Sequence, residues 1–263
     1  MMNFNFTFSG SIKKIICRSF QLSVVIISLT SLTLTESIAQ TNIKLGGGAG
    51  IMFPVSDFSG STLDYYNGSS YGLSSGFNIN GKAKIILPGF NLAAEIDYSS
   101  LSNTGNSEPG QGKVDISQKI LSLKVGPELR INLPEFPVTP YIGINLALNS
   151  FSGETTFQGV SKVSSASYSV NGETRFGGGF TLGTEVSISS SLSLDFNISY
   201  NLMNVSGKNW TDVNPGINQR IDSYLSLNDE RDPLYTSSDD KHFVSNARNI
   251  QSVLFTVTLL FSL

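Results

Sequence analysis

Apolar and polar residues alternate with a period of two in eight stretches of the chain after Gln40. In the stretch 77–87, phenylalanine, isoleucine, glycine, alanine and leucine occupy the odd positions, whereas asparagine or lysine occupies four of the five even positions. Strict alternation is typical of a β-strand with one apolar face and one polar face. The chain shows no helical periodicity of useful length after Gln40, so the pattern predicts an all-β protein.

The eight stretches predict eight strands, each with one face that is free of charged residues. Their approximate bounds are 43–53, 77–87, 90–99, 121–133, 140–149, 175–188, 192–203 and 253–263. No position on the apolar faces carries Asp, Glu, Lys or Arg. Because a lysine or arginine at the bilayer midplane costs a barrel wall about 2–4 kcal/mol, an uncharged face indicates contact with lipid.

Short and long connections alternate between the predicted strands. About two to six residues join strands 2 and 3, 4 and 5, and 6 and 7, whereas about 20 to 48 residues join the other consecutive pairs. In an up-and-down barrel, this alternation places the short turns on one rim, together with the start of the first strand and the end of the last. The long loops lie on the other rim. The sequence therefore predicts a transmembrane eight-stranded antiparallel up-and-down β-barrel with periplasmic turns and extracellular loops.

A secreted lipocalin-like barrel is the alternative, because periodicity does not say which face points outwards. In that case the apolar face would line a ligand cavity and the charged face would contact water. The interior of an eight-stranded barrel is only just wide enough for its side chains. Dozens of Phe, Leu and Ile side chains would crowd it, so the transmembrane barrel is favoured.

The N-terminal segment predicts export. Three basic residues precede an apolar run at 20–35, and Ser37 and Ala39 then supply the small residues that a signal peptidase needs. We expect a signal peptide at 1–39 that is cleaved after Ala39, followed by a barrel domain at 40–263. The alternative, a membrane anchor, is disfavoured because a run of about 16 residues is too short to span the hydrocarbon core as a helix.

Composition narrows the function classes. Charged residues make up 14% of the chain, against about 25% in a typical soluble domain. The formal net charge of −3 offers no basic footprint for nucleic acid. Cys17, the one cysteine, lies in the predicted signal peptide, so a mature protein without disulfides is expected.

Charged side chains are concentrated on the opposite, lumen-facing side of the predicted strands. If Leu87 pairs with Phe90, Lys82 lies directly opposite Glu95, within reach of an ion pair. The near balance of charge predicts a lumen filled by ion pairs, because buried charges must be paired; a conducting pore is the alternative. Six positive and five negative residues occupy this face: Lys44, Lys82, Lys84, Lys124, Arg130, Arg175, Glu95, Asp97, Glu128, Glu185 and Asp195.

Two carboxylates are expected to face each other near the short-turn rim. Pairing of strands 6 and 7 across their tight turn places Glu185 opposite Asp195. Such a pair either raises one pKa or recruits a cation, so an acid/base pair is conceivable. The favoured interpretation is neutralisation by Arg130, Lys124 or Lys84 across the lumen.

The last long loop, 205–251, offers the best surface for recognition. It carries Trp210, Tyr224, Tyr235 and His242 among acidic and basic residues, a composition that suits an extracellular protein, glycan or polymer ligand. A loop that is merely solvated would have a similar composition. His242 is the one histidine of the chain and has no identifiable catalytic partner, so we predict no enzyme activity, no cofactor and no metal site.

Several segments resemble those of the small outer-membrane β-barrel superfamily, which includes OmpA/OmpX-like and PorT-like members. They are Leu-Lys-Val-Gly-Pro-Glu at 123–128, Pro-Tyr-Ile-Gly at 140–143, the glycine-rich stretch 175–183 and the final strand. The resemblance covers residues 41–263 and implies the outer membrane of a Gram-negative bacterium, with outer-membrane lipid around the barrel. It is a match of pattern, with no motif that specifies one chemistry.

The resemblance also implies how the chain is inserted and what it does. The final strand is similar to the C-terminal signal that the barrel-assembly machinery binds, although this chain ends in leucine where many members end in phenylalanine. A monomer with a structural, adhesive or surface-recognition role is expected; a small porin-like channel and a PorT-like accessory of protein secretion are the alternatives. The alternating residues of the expected signal are Phe255, Val257, Leu259, Phe261 and Leu263.

Overall fold

The computed structural model describes residues 42–108, 111–131, 133, 136–211, 221–233 and 246–263. Eight antiparallel strands pair in chain order, and β1 pairs with β8 to close the barrel. This arrangement confirms the predicted all-β, eight-stranded up-and-down barrel. The strands are β1 Asn42–Val55, β2 Gly76–Leu87, β3 Phe90–Glu108, β4 Gln111–Arg130, β5 Val138–Gln158, β6 Ala166–Ser187, β7 Leu192–Ser206 and β8 Gln251–Ser262.

We name the two ends of the barrel by their connections. The turn rim holds the short β2–β3, β4–β5 and β6–β7 turns, the N-terminal end of β1 and the C-terminal end of β8. The loop rim holds the other four connections. The predicted signal peptide, 1–39, lies outside the described residues.

Two short α-helices lie between strands at the loop rim. Helix α1 spans Thr62–Tyr66, and α2 spans Asp222–Leu225. Ser61 and Asp64 form a capping box at the start of α1, and the hydrogen bonds from Ser61 lower the pKa of Asp64. The helices in the described part of the chain are too short to cross a membrane.

The outer face of the barrel carries large apolar side chains at alternate positions. Leu146 is 74% exposed, Leu129 is 64% exposed and Phe180 is 63% exposed. Lys82 and Asp195, which belong to the opposite face of their strands, are 4% and 0% exposed. The apolar face therefore points outwards and the charged face points into the lumen, the reverse of a lipocalin-like barrel.

Four strands are much longer than predicted. β3, β4, β5 and β6 have 19, 20, 21 and 22 residues and continue towards the loop rim through segments that the sequence assigned to loops. Alternation continues there with reversed polarity: Val114 and Ile116 are buried inside, whereas Lys113 is exposed outside. The strand bounds were wrong because one apolar outer face was assumed along the whole length of every strand.

β1 and β8 approach each other closely at three lumen-facing glycines, Gly46, Gly48 and Gly50. A Cβ atom on Gly48 would lie 2.2 Å from the carbonyl oxygen of Val257 and 2.7 Å from the Cα of Thr258. On the outer face, a Cβ on Gly47 would have only the carbonyl oxygen of Asn80 within 4 Å, at 3.6 Å. Glycine at position 48 therefore permits the close backbone approach that closes the barrel.

We expect Gly48→Ala to destabilise the barrel by about 1–3 kcal/mol, because the new methyl group must displace backbone atoms of β8. The measurement is the urea midpoint at which the refolded protein loses its compact mobility on an unboiled gel. Gly47→Ala is the matched control and should leave this midpoint nearly unchanged. Equal midpoints for the two variants would contradict a close seam between β1 and β8.

Candidate functional site

A network of ion pairs occupies the lumen towards the turn rim. Lys82 and Lys84 lie at its centre, and both contact Glu128 and Asp195. Lys44 extends the network through a contact with Glu185. We call this network the ionic cluster; its members are Lys44, Lys82, Lys84, Lys124, Glu95, Asp97, Glu128, Glu185 and Asp195.

Lys82 and Lys84 make their closest contacts across the lumen. Lys82 Nζ lies 2.8 Å from Asp195 Oδ2 and 3.1 Å from Glu128 Oε1. Lys84 Nζ lies 3.0 Å from Glu128 Oε2 and 3.2 Å from Asp195 Oδ2. The predicted pairing of Lys82 with Glu95 is confirmed by the strand register, but their charged atoms are 3.7 Å apart. Lys82 therefore extends into the lumen, where its nearest carboxylates belong to β4 and β7 and not to the neighbouring strand β3.

Tyr141 is a member of the site that the sequence analysis missed. Its hydroxyl donates a 2.7 Å hydrogen bond to Asp195 Oδ1, and Lys84 Nζ lies 4.2 Å from the ring centroid. The ring lies against Gly183, where a Cβ atom would come within 2.2 Å of Cζ. Its position on the lumen face of strand 5, opposite a glycine on strand 6, was the available signal. Cation–π contact and hydrogen bonding thus join Tyr141 to the ionic cluster.

Glu185 and Asp195 lie opposite each other in the β6–β7 register, as predicted. Lys84 contacts both carboxylates, at 3.7 Å from Glu185 and 3.2 Å from Asp195. Lys44 and Lys82, which the sequence analysis did not consider for this role, add further contacts. With three lysines around two carboxylates, the arrangement is that of a neutralised structural pair.

Two of the cations expected to neutralise this carboxylate pair lie elsewhere. Lys124 Nζ contacts Asp97 at 2.8 Å. Arg130 donates a 3.0 Å hydrogen bond to the carbonyl oxygen of Leu87 at the turn rim. Of the three alternatives predicted, Lys84 is the one that contacts the carboxylate pair. Strand tilt and register set which side chains meet across a lumen, and neither is visible in the alternation of one strand.

Arg175 is separate from the ionic cluster. Its guanidinium lies towards the loop rim and contacts Asp229 through Nε at 2.9 Å and Nη2 at 3.2 Å. Nη1 contacts Glu173 at 2.9 Å. Its grouping with the other lumen charges therefore needs correction, because one of its two carboxylate partners, Asp229, comes from the β7–β8 connection, whose fold the strand pattern does not predict.

A layer of uncharged polar side chains lies next to the ionic cluster on the loop-rim side. Asn78 donates to Asp97 and Ser99 at 3.2 and 2.9 Å. Ser122 donates a 2.7 Å hydrogen bond to Asn149, which donates to the carbonyl oxygen of Met203. This layer fills the middle of the lumen with hydrogen-bonded amides and hydroxyls.

On several strands, the next lumen-facing residue from the polar layer towards the loop rim is apolar and buried. On five strands this apolar residue lies two positions towards the loop rim from Ser99, Ser122, Asn149, Asn201 or Thr256. Each of the apolar residues is 2% exposed or less, so they close the lumen above the polar layer. We call them the apolar layer: Met52, Leu101, Ile120, Phe151, Met203 and Leu254.

The apolar layer is the base of a larger hydrophobic core at the loop rim. The extensions of β3–β6 surround this core, and the segment 56–75 and the described residues between β7 and β8 cover it. We call this whole assembly the cap. Its buried apolar residues beyond the apolar layer are Phe58, Tyr65, Tyr66, Tyr71, Leu73, Val114, Ile116, Phe157, Val160, Val163, Tyr224, Leu227 and Ile250.

The described part of loop 205–251 folds onto the barrel. Tyr224 and Leu227 are 3% and 2% exposed, and both belong to the core of the cap. Tyr224 donates a 2.6 Å hydrogen bond to the carbonyl oxygen of Tyr66. Tyr224 is therefore a packing residue, in contrast to the surface role expected from the sequence. Trp210 is partly exposed, whereas Tyr235 and His242 lie outside the described residues.

Little empty space remains in the lumen. A cavity of about 30 Å³ lies beside Glu95 and Lys124, and its lining includes Asn145 and Asn197. One amide atom of each asparagine has no hydrogen-bond partner. A single water needs about 10–15 Å³, so the cavity has room for about two or three waters. Within the described ranges, no group of three or more potential ligands is arranged to hold a metal ion.

The residues of the expected assembly signal lie on the outer face of β8 and at its end. Their exposed fractions range from 36% at Leu259 to 77% at Leu263. This position leaves them available to lipid or to a binding partner. Their function as an assembly signal stays a prediction.

Residues 22–219 match the family model described as outer membrane protein beta-barrel domain. Among solved structures, neisserial surface protein A is similar at 16% identity and a TM-score of 0.46, over 84% of this chain and 96% of that chain. A comparison with curated proteins found no match.

Two further solved structures are similar to the chain. A major outer membrane protein from Thermus thermophilus has 14% identity and a TM-score of 0.47, over 85% of this chain and 100% of that chain. Ail of Yersinia pestis, solved in complex with the heparin analogue sucrose octasulfate, has 11% identity and a TM-score of 0.39, over 85% and 99% of the two chains.

Proposed function

Because the chain belongs to the outer membrane protein beta-barrel domain family, we propose that it is a closed outer-membrane barrel that presents its cap for recognition outside the cell. It acts as a monomer and has no catalytic residue or cofactor. Export by the segment 1–39, cleavage after Ala39 and a mature barrel domain at 40–263 belong to the same proposal. In outer-membrane barrels the short turns face the periplasm, so the cap is extracellular.

The filling of the lumen is the observation that supports a closed barrel. An ion crossing it must break the contacts of Lys82 and Lys84 with their carboxylates and then pass the apolar layer. Hydrophobic constrictions block ions because water leaves them. A porin-like channel would require the cap and the apolar layer to move aside together.

The outer surface of the cap supports a role in recognition. Outward-facing residues form cross-strand rows on β3–β6; one row is Ser102, Ser117, Glu154 and Ser169. A packed core beneath this sheet holds the rows rigid, and rigid sites lose little conformational entropy when they bind. Hydroxyl and carboxylate groups in a row suit a hydrogen-bonding polymer or a polar protein surface.

Single-channel recording of the refolded protein tests the closed barrel. We expect no steady conductance in planar bilayers under conditions in which unboiled gels show compact, folded protein. Steady open channels would overturn the closed-barrel proposal and favour the porin-like alternative.

Binding of the nanodisc-embedded protein to arrays of glycans and matrix proteins tests recognition by the cap. We expect binding that is lost in the double variant Ser117→Arg and Glu154→Arg, which changes only the outer row. Absence of binding to every array component, or binding that the double variant retains, would contradict recognition by this surface. Capture of secretion-system subunits in its place would favour the accessory role.

A further inference from the structure

A second small cavity lies inside the cap, between β4, β5 and β6 and the residues of α2. Its volume is about 20 Å³, and no aspartate or glutamate lines it. The polar lining residues are Tyr65, Tyr71, Gln118, Thr155, Ser223, Tyr224, Ser226 and Arg248. The cavity therefore combines a positive charge and several hydroxyl groups with an absence of carboxylates.

Three of these lining residues carry a buried polar atom that has no hydrogen-bond partner. The atoms are Ser223 Oγ, Ser226 Oγ and Arg248 Nε, and their residues are 3%, 5% and 4% exposed. A buried polar group without a hydrogen-bond partner destabilises the fold. All three atoms carry a hydrogen that can be donated, so one acceptor in the cavity would satisfy them together.

Arg248 lacks a counter-ion among the described residues. Its Nη1 and Nη2 atoms donate to the carbonyl oxygens of Ser70 and Asn228 at 3.3 and 2.7 Å. Its guanidinium carbon lies 4.0 Å from the ring centroid of Tyr71. The neighbouring carboxylate of Asp229 is already held by two hydrogen bonds from Arg175. A buried charge is normally paired, so we expect a small anion next to this guanidinium.

The tyrosines of the lining do not supply the negative charge. Burial raises the pKa of Tyr65 to about 12 and also raises the pKa of Tyr71. Both phenols are therefore neutral at physiological pH. The hydroxyl of Tyr71 donates to the carbonyl oxygen of Asn228 at 3.4 Å, and that of Tyr65 shares a 2.9 Å hydrogen bond with Thr155.

We propose that this cavity binds one halide ion, chloride in the cell envelope, through Arg248 Nε and the hydroxyls of Ser223 and Ser226. A volume of about 20 Å³ matches a ligand of one heavy atom better than the larger phosphate or carboxylate anions. The ion joins the β7–β8 connection to the wall of the cap by bridging α2 and Arg248. This site is independent of the proposed recognition function.

Bromide identifies the ligand directly. In crystals of the full chain grown in sodium bromide, we expect an anomalous peak within the cavity, in contact with Arg248 Nε and both serine hydroxyls. Density without anomalous signal at this position, which would fit a water, would overturn the proposal.

Amide exchange measures the energetic effect of the ion. A ligand at ten times its Kd shifts an opening equilibrium about elevenfold. We expect the backbone amides of Tyr224 and Leu225 to exchange about elevenfold more slowly in sodium chloride at ten times the Kd than in sodium gluconate of equal ionic strength. Equal exchange in the two salts would contradict the site.

Paired serine variants assign the effect to the cavity. The double variant Ser223→Ala and Ser226→Ala keeps Arg248 and should lose the chloride dependence of exchange. Ser107→Ala removes another buried serine of the cap that does not line the cavity, and it should keep the full dependence. Loss in both variants, or in neither, would contradict the proposed ligands.

Discussion

Replacing Asp195 with asparagine is expected to destabilise the barrel by about 3–5 kcal/mol, because it removes one of the two carboxylates that the buried Lys82 and Lys84 share. Asp195 is 0% exposed and lies 2.8 Å from Lys82 and 3.2 Å from Lys84. Asparagine keeps the shape of the side chain and can accept the hydrogen bond from Tyr141. The loss of stability therefore reports the missing negative charge of Asp195. The measurement is the urea midpoint of the refolded protein, followed by Trp210 fluorescence and by mobility on unboiled gels.

A second substitution separates the ion pairs from general damage. Lys84→Met removes one of the uncompensated charges, and the double variant Asp195→Asn and Lys84→Met should recover part of the lost stability. Lys113→Met is the surface control: Lys113 lies 3.0 Å from Asp115, but its side chain is 49% exposed. Exposed pairs contribute about 0–1 kcal/mol. Equal losses for Asp195→Asn and Lys113→Met would show a water-filled lumen and contradict the ionic cluster as a plug.

Replacing Phe157 with alanine is expected to destabilise the cap by about 3–5 kcal/mol while the transmembrane barrel stays folded. Phe157 is 0% exposed, and its ring centroid lies 4.9 Å from that of Tyr224 and 6.3 Å from that of Tyr168. These contacts lie in the extension of β5, beyond the apolar outer face of that strand. The cavity left by the missing ring therefore weakens the cap and leaves the transmembrane part of the wall unchanged.

Amide exchange and gel mobility distinguish the two regions. In Phe157→Ala, amides of the cap should exchange much faster, whereas unboiled protein should keep its compact mobility. Leu63→Ala is the control, because Leu63 is 37% exposed on α1 and its removal leaves no internal cavity. Simultaneous loss of cap protection and compact mobility would show that cap and barrel unfold as one unit. Unchanged exchange would show that the cap has no packed core.

The fold could be predicted from the sequence wherever contact with lipid requires one face of a strand to be free of charge. In the stretch 77–87 the alternation is interrupted only at Ile86, because a charge on the outer face is costly and the polar face must fill the lumen. Tight turns such as Pro88-Gly89 then specify which strands are neighbours, and the predicted opposition of Lys82 and Glu95 follows from that turn. Local pattern and short-range register were sufficient for these features.

The partners across the lumen could not be predicted in the same way. Lys82 is paired with Glu95 on the neighbouring strand, yet its shortest ion pair is with Asp195, 113 positions away in sequence. Strand tilt and the closure of β1 onto β8 determine which lumen residues meet. For the same reason, the cations expected near Glu185 and Asp195 were only partly correct, and Tyr141 was missed.

The cap could not be predicted with the rule that identified the barrel, namely that the outer face of each strand is apolar. Above the lipid, water surrounds the outer face of β3–β6, so the favourable pattern becomes apolar inside and polar outside, as in a soluble protein. The segments 100–120 and 150–174 follow this reversed pattern. Their apolar residues are too few on each strand to predict a core without the neighbouring strands.

The sequence by itself determined the eight strands, their order, the lipid-facing side and the type of charge in the lumen. Within the membrane each strand has one face towards lipid and one towards the lumen, and the tight turns specify which strands are neighbours. Tertiary structure alone decided how the lumen is closed and where the described residues between β7 and β8 lie. Closure depends on side chains that six strands and two connections bring to one point, and their distances in space bear no relation to their spacing in the chain.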